Sequence, residues 1–163
     1  MARAKKTAGK KEEMTTKVVA EAARELLADL LIDSQVTVTQ ADDGAMAVNV
    51  ATEESGLLIG YHGETLGSFQ LILGLVVYRR LGKWVRVVVE VGDYRAKRAV
   101  QLESLAKTYA DQAIASGQAV YLPYLPPGER RVVHMVLAER TDVTSESEGE
   151  GNQRRVVIKP KGA

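Results

Sequence analysis

Residues 59–66, Ile-Gly-Tyr-His-Gly-Glu-Thr-Leu, set two glycines three apart between two apolar stretches. Glycine enters positive-φ backbone without a Cβ penalty, so Gly60 and Gly63 predict an abrupt chain reversal. Before it lies Gly56-Leu57-Leu58-Ile59. After it, Glu64 to Leu81 reads as one long helix carrying Leu66, Phe69, Leu71, Ile72, Leu73, Leu75, Val76 and Val77. Apolar residues cover most of that helix's circumference, which predicts the central helix of a core. The turn's backbone amides and the N-terminus of the following helix make a natural seat for a phosphate chain. Gly-x-x-Gly by itself also fits a plain helix–helix connector, so its meaning depends on what flanks it.

The flanking pattern is specific. Residues 1–15 are charged and small and lack apolar periodicity, which predicts a flexible basic tail. From Thr16 the spacing becomes helical, with Val18, Val19, Ala22, Leu26, Leu27, Leu30 and Leu31 in one stripe ending near Asp33. Two alternating runs follow: Val36 and Val38, then Met46, Val48 and Val50. Asp43-Gly44 between them supplies the turn of a hairpin. Lys83 to Val91 is β-branched, with Val85, Val87, Val89 and Val91 on one face. The first unit, residues 16–92, therefore reads α-β-β-α-α-β.

A second unit, residues 93–163, begins with Asp93 as an N-cap and a helix to about Ser116. Its inward stripe is Val100, Leu102, Leu105, Ala106, Tyr109, Ala113 and Ile114, and Gly117 ends it. A short strand over 119–122, a Pro126-Pro127-Gly128 turn, a helix over 129–139 and strands near 142–145 and 154–159 complete α-β-α-β-β. The fold class is α+β in both units. Trp84 and Tyr109 are expected in the core or an interface. Tyr121 and Tyr124, beside Pro123, fit base stacking and packing equally well.

Charge is segregated within a nearly neutral chain. Residues 1–17 carry six Lys and Arg against two Glu, and residues 79–98 carry seven against two. Residues 139–150 reverse this, with five acidic residues against Arg140. Local basic clusters suit a polyanionic partner, although each taken singly fits a solvated face. With no cysteine there is no disulfide framework, thiolate metal site or cysteine nucleophile. Only two histidines occur, far apart, and no phosphate-loop, nucleophile-elbow or metal-ligand motif accompanies them, so neither an enzyme nor a metal or other cofactor is expected. No apolar run approaches the roughly 20 residues of a membrane span. The polar start of the chain lacks a secretory signal's apolar centre. The expectation is a cytoplasmic protein without membrane insertion.

A helix–Gly-x-x-Gly–helix unit with strands on both sides resembles the KH domain, in its type II arrangement. That loop clamps a few nucleotides of single-stranded nucleic acid. In the second unit, Arg130 and His134 stand four apart on one helix face, followed by Ser147-Glu148-Gly149-Glu150 and Arg154-Arg155-Val156-Val157-Ile158. Residues 129–160 resemble the R3H domain, another single-strand binder. KH followed by R3H is similar to the Jag family of bacterial RNA-binding proteins linked to cell elongation and division. The resemblance covers residues 16–160.

It implies a KH clamp made by Ile59, Gly60, Tyr61, His62 and Gly63. It also implies an R3H face made by Arg130, Arg131, His134, Arg154 and Arg155. Single-stranded RNA is the implied partner, with single-stranded DNA left open, and a small KhpA-like KH protein is a further possible partner. Members usually begin with a separate N-terminal domain, where this sequence has a basic tail, so a short form is expected. The family loop usually holds Lys or Arg where Tyr61 and His62 stand. This departure favours the alternative function, a protein–protein adaptor using both modules as docking surfaces.

Overall fold

The computed structural model describes residues 2–162. The chain divides into two compact units, residues 1–94 and 95–163. In the first, α1 (Ala2–Asp29) leads into β1 (Gln35–Gln40) and β2 (Met46–Ala51). Then come α2 (Ser55–Ile59), a single 3₁₀ turn over Tyr61–Gly63, α3 (Glu64–Leu81) and β3 (Val87–Val91). The strands form one mixed sheet in the order β1-β2-β3. β1 and β2 are antiparallel, with Val36 opposite Val50 and Val38 opposite Val48, and β3 runs parallel to β2. Alternation puts Met46, Val48, Val50, Val87, Val89 and Val91 on one face. Val19, Ala22, Ala23 and Leu27 of α1 and Leu66, Phe69, Leu73 and Val77 of α3 bury that face.

In the second unit, α4 (Tyr94–Ser116), β4 (Val120–Tyr121), α5 (Pro127–Ala138), β5 (Val143–Glu148) and β6 (Arg155–Pro160) follow in order. The sheet order β4-β6-β5 is antiparallel throughout. Its core joins Leu102, Ala106, Ala110 and Ala113 of α4 to Val133 and Leu137 of α5 and to Val143, Val156 and Ile158 of the sheet. Among the described residues, no helix is long and apolar enough to cross a membrane.

Four expectations need correction. Helix α1 begins at Ala2, so the segment expected as a tail through residue 15 is helical. Alanine, lysine and glutamate are strong helix formers whether or not their pattern is amphipathic. Glu13 and Lys17 add an i,i+4 ion pair, and Thr15 is already buried. At the other end, Leu30 and Leu31 leave the stripe: α1 stops at Asp29, and both leucines are exposed. Leu31 takes φ 57°, with its N–H on the Ala28 carbonyl and the Ile32 N–H on the Leu27 carbonyl. This is a Schellman termination, in which buried Ile32 packs where Leu31 was expected.

Helix α3 buries only one face; Leu71, Ile72, Leu75 and Tyr78 are exposed on the other, and Trp84, expected in the core or an interface, is 63% exposed. Similarly, Val100 and Ile114 are exposed on α4, whose inward face is largely alanine, whereas Tyr109 packs against the core as expected.

Leu31 is 88% exposed yet occupies backbone that favours glycine. Left-handed backbone costs a non-glycine residue roughly 1–2 kcal/mol, part of which glycine returns through its unfolded-state entropy. Leu31→Gly should therefore raise unfolding free energy by about 0.5–1 kcal/mol, read as a higher urea midpoint at unchanged slope.

Candidate nucleic-acid interface

The two-glycine turn is built by close approach. A Cβ on Gly60 would collide with the Thr65 side chain, 2.7 Å from its Cβ and closer still to its hydroxyl. Gly60 also closes α2, its N–H donating to the Gly56 carbonyl at 2.9 Å. Gly63 (φ 81°) N-caps α3, and a Cβ there would lie 3.1 Å from the Tyr94 ring. Leu58 and Leu66, both buried, anchor the loop on either side, and Ile59 packs half-buried against the core. Of the two residues between the glycines, Tyr61 is exposed and His62 is half-buried. Tyr61 is 65% exposed, and its ring meets that of His62 edge-on at 4.0 Å between centroids. His62 takes φ 52°, a left-handed conformation that its residue type did not announce. Strain at an exposed loop tip marks a place the surrounding structure over-determines. Glu64 adds a carboxylate to the first turn of α3, which suits the helix dipole and opposes a phosphate at the same point.

In the second unit, α5 and β5 build a different surface. β5 alternates so that Ser145 and Ser147 share a face with buried Val143, the face toward α5. His134 lies between the two serines, with Nδ1 2.8 Å from Ser145 Oγ and Nε2 2.8 Å from Ser147 Oγ. A neutral ring fits both contacts, one nitrogen donating and the other accepting. Partial burial, followed by the charges of Arg130 and Arg154, holds the imidazole below its ordinary value of 6.5.

Arg130 donates from Nη1 to the Leu125 carbonyl at 2.9 Å. It does not pair with Glu129, whose carboxylate turns inward to a two-pronged pair with Arg98, at 2.7 and 2.8 Å. Those side chains are 18% and 12% exposed, so the pair ties α4 to the first turn of α5.

Arg130, Arg131, His134 and Arg154 therefore line one groove of about 440 Å³, with Ser147 and the apolar Met135 and Ala138. Among the described residues, no carboxylate lines it. Arg155, expected with them, stands apart: it lies 5.2 Å over the Tyr124 ring and donates to the Asn152 carbonyl at 2.6 Å. In a strand, successive side chains leave on opposite faces, which separates Arg155 from any group on the α5 side. Tyr124 is thereby engaged in packing, while Tyr121 stays exposed with its hydroxyl 3.3 Å from Glu148. Ser145 escaped the sequence reading and Ser147 entered it only within the stretch that carries the R3H resemblance, although their places two and four residues beyond Val143 put both on its face of the strand.

The charge clusters are partly neutralised. Arg80 pairs with Glu25, Arg86 with Asp43 and Arg98 with Glu129, so the basic run of residues 79–98 is not a bare patch. In the acidic run, Arg140 holds Asp111 and Asp142, and Lys159 holds Glu146 and Glu148. Among the described residues, no group of three His, Asp or Glu side chains is arranged to hold a metal.

Two family models match this chain: the KH domain of KhpA and KhpB over residues 17–91, and the R3H domain over residues 100–160. The chain carries a KhpA- and KhpB-type KH domain followed by an R3H domain, as the Jag resemblance implies. It is 39% identical to RNA-binding protein KhpB of Lactiplantibacillus plantarum, over 68% of this chain and 34% of that protein. RNA-binding protein KhpB of Clostridium symbiosum is 36% identical, over 71% of this chain and 52% of the relative. That of Bacillus subtilis is 32% identical, over 78% and 62%. The chain thus spans between about a third and three fifths of the length of these Jag relatives.

The depressed His134 value has a consequence for stability. The unfolded chain takes up this proton near 6.5, and the folded chain only at lower pH. The stabilisation is therefore complete above 6.5 and is lost as pH falls through the folded value. Urea midpoints should fall between pH 7.5 and 5 more steeply in the parent than in His134→Gln. Equal slopes would place the proton uptake elsewhere.

Proposed function

We propose that this chain binds single-stranded RNA, seating phosphates on the Gly60–Gly63 loop of the KH unit and on the Arg130, Arg131 and Arg154 groove of the R3H unit. The convergence of three guanidinium groups around a neutral His134, in a groove without a lining carboxylate, carries this reading. Guanidinium forks suit phosphate, and the serine–histidine contacts hold α5, which supplies Arg130 and Arg131, against β5. At the loop, binding uses backbone amides and the exposed Tyr61 ring rather than fixed positive charge. The R3H groove therefore supplies most of the electrostatic affinity. The names of the relatives, RNA-binding proteins, support the same ligand class. The Jag resemblance extends the reading to post-transcriptional regulation connected with bacterial cell elongation and division, carried out in the cytoplasm.

A second reading, the adaptor, is favoured by one feature of the KH unit. Leu71, Leu75 and Tyr78 recur at i, i+4 and i+7 along the exposed face of α3, flanked by Ile72. Trp84 stands 5.9 Å from Tyr78, centroid to centroid. An exposed apolar helix stripe of this kind suits another protein surface. The KhpA and KhpB domain type suggests a second KH-type chain as its partner. The stripe occupies a face of α3 opposite its buried residues, so docking there is compatible with RNA at the Gly60–Gly63 turn.

The R3H contribution is testable by salt titration. Arg131→Ala and Arg154→Ala should each weaken single-stranded RNA binding to a similar extent across sequences. Each should also lower the slope of log affinity against log salt by about 0.7, one counterion-release contribution. Fluorescence anisotropy over a salt series reads both quantities. Unchanged affinity and slope in folded variants would remove the R3H groove from the mechanism.

A further inference from the structure

Helix α3 ends on Gly82, whose left-handed backbone (φ 66°) returns its N–H to the Tyr78 carbonyl at 2.9 Å and turns the chain back along the helix. The turn lays Trp84, the one tryptophan of the chain, against α3. Its six-membered ring lies 4.0 Å from where a Cβ on buried Gly74 would stand. Its centroid lies 5.9 Å from that of Tyr78, one helical turn beyond Gly74, with the ring planes tilted by 52°. Two contacts thus hold the indole in place, while 63% of Trp84 stays open to solvent. The same end of the helix is basic, and Arg79, Lys83 and Arg86 are all exposed. Glu25 holds Arg80 and Asp43 holds Arg86, whereas Arg79 and Lys83 enter no ion pair among the described residues.

An exposed aromatic ring suits either a protein or a nucleobase, and its neighbours decide between them. The centres of protein interfaces are depleted of charged residues, lysine among them. The stripe from Leu71 to Leu75 meets that condition, and a ring between Arg79 and Lys83 in sequence does not. Binders of single-stranded nucleic acid combine the features found here: a ring face on which a base stacks, and cations that track the backbone past it. A ring already held in place loses little entropy on binding. Resting on the RNA-binding reading above, we propose that Trp84 is a stacking platform for a base of the bound strand, with Lys83 and Arg79 receiving the phosphates next to it. Gly74 stands eleven residues beyond Gly63, about 16 Å along α3. The platform is therefore a contact separate from the Gly60–Gly63 turn. The plain alternative is that the indole only covers the flank of α3 at Gly74.

With one tryptophan in the chain, its emission reports on this place alone. The parent, Trp84→Ala and Trp84→Phe are titrated with a labelled mixed-sequence single-stranded RNA of about twelve nucleotides. Anisotropy gives the affinity, and in the parent tryptophan emission and its quenching by acrylamide are followed with the same RNA unlabelled. The platform predicts that RNA quenches the emission and shields the indole from acrylamide, with the midpoint that anisotropy gives. Trp84→Ala should bind about tenfold more weakly, within the range for one base stacked on an aromatic ring. Trp84→Phe, which keeps a ring and guards against a folding loss, should recover most of that affinity. If the parent binds RNA with its emission unchanged, or both variants bind as tightly as the parent, the platform is overturned and the RNA reading stands. Shielding that grows with protein concentration in the absence of RNA means that a second copy of the chain covers the ring, and this too overturns the platform. If the parent does not bind RNA, the RNA reading itself fails, and the platform with it.

Discussion

The approach of Gly60 to Thr65 governs the first unit. Any side chain at position 60 would occupy the space of the Thr65 hydroxyl. With the glycine there, α2 can end one residue before the turn and α3 can begin one residue after it. Leu58 and Leu66 then both reach the same core. The reversal fixes what the loop can present: Tyr61 faces solvent, His62 is held in left-handed backbone, and the amides at the start of α3 stand beside them. It also fixes the line of α3 past the edge of β3, which brings Gln70 to Val89. A packing constraint at one Cβ therefore reaches both the loop tip and the strand edge.

The second unit reaches a comparable surface by other means. There the organising group is His134, whose two ring nitrogens span Ser145 and Ser147 and so lock the helix face of α5 to β5. The Arg98–Glu129 pair does the same for the start of α5 from the side of α4. With Glu129 turned inward, the outward face keeps Arg130, Arg131 and Arg154 without a lining acid. The two units thus present unlike chemistry. One offers backbone amides and an aromatic ring, the other guanidinium groups around a neutral imidazole.

Much of this was legible in the residues. The hairpin register follows from the Val36–Val38 and Met46–Val48–Val50 alternation, and the glycine pair located the turn. Arg130 and His134, four apart, landed on one helix face as their spacing requires. What was hidden depended on partners distant in sequence. Nothing local shows that Ser145 and Ser147 hold His134, that Glu129 belongs to Arg98, or that Gln70 caps Val89. Arg155 does not line the groove with Arg154, because neighbours in sequence leave a strand on opposite faces. The exposed half of α3 departs from the expected core because apolar content does not say which face finds a partner within the chain. Leu31 was lost to the helix termination, where backbone geometry moved the stripe by one residue.

The central claim is that RNA meets this protein at the glycine turn and at the R3H groove. Backbone amide shifts measured while the labelled full chain is titrated with a short single-stranded RNA test it most directly. The account predicts progressive shifts over residues 60–66, and over residues 130–138 together with Ser145, Ser147 and Arg154. Shifts confined to the Leu71, Leu75 and Tyr78 stripe, or none at either predicted place at saturating RNA, would contradict it.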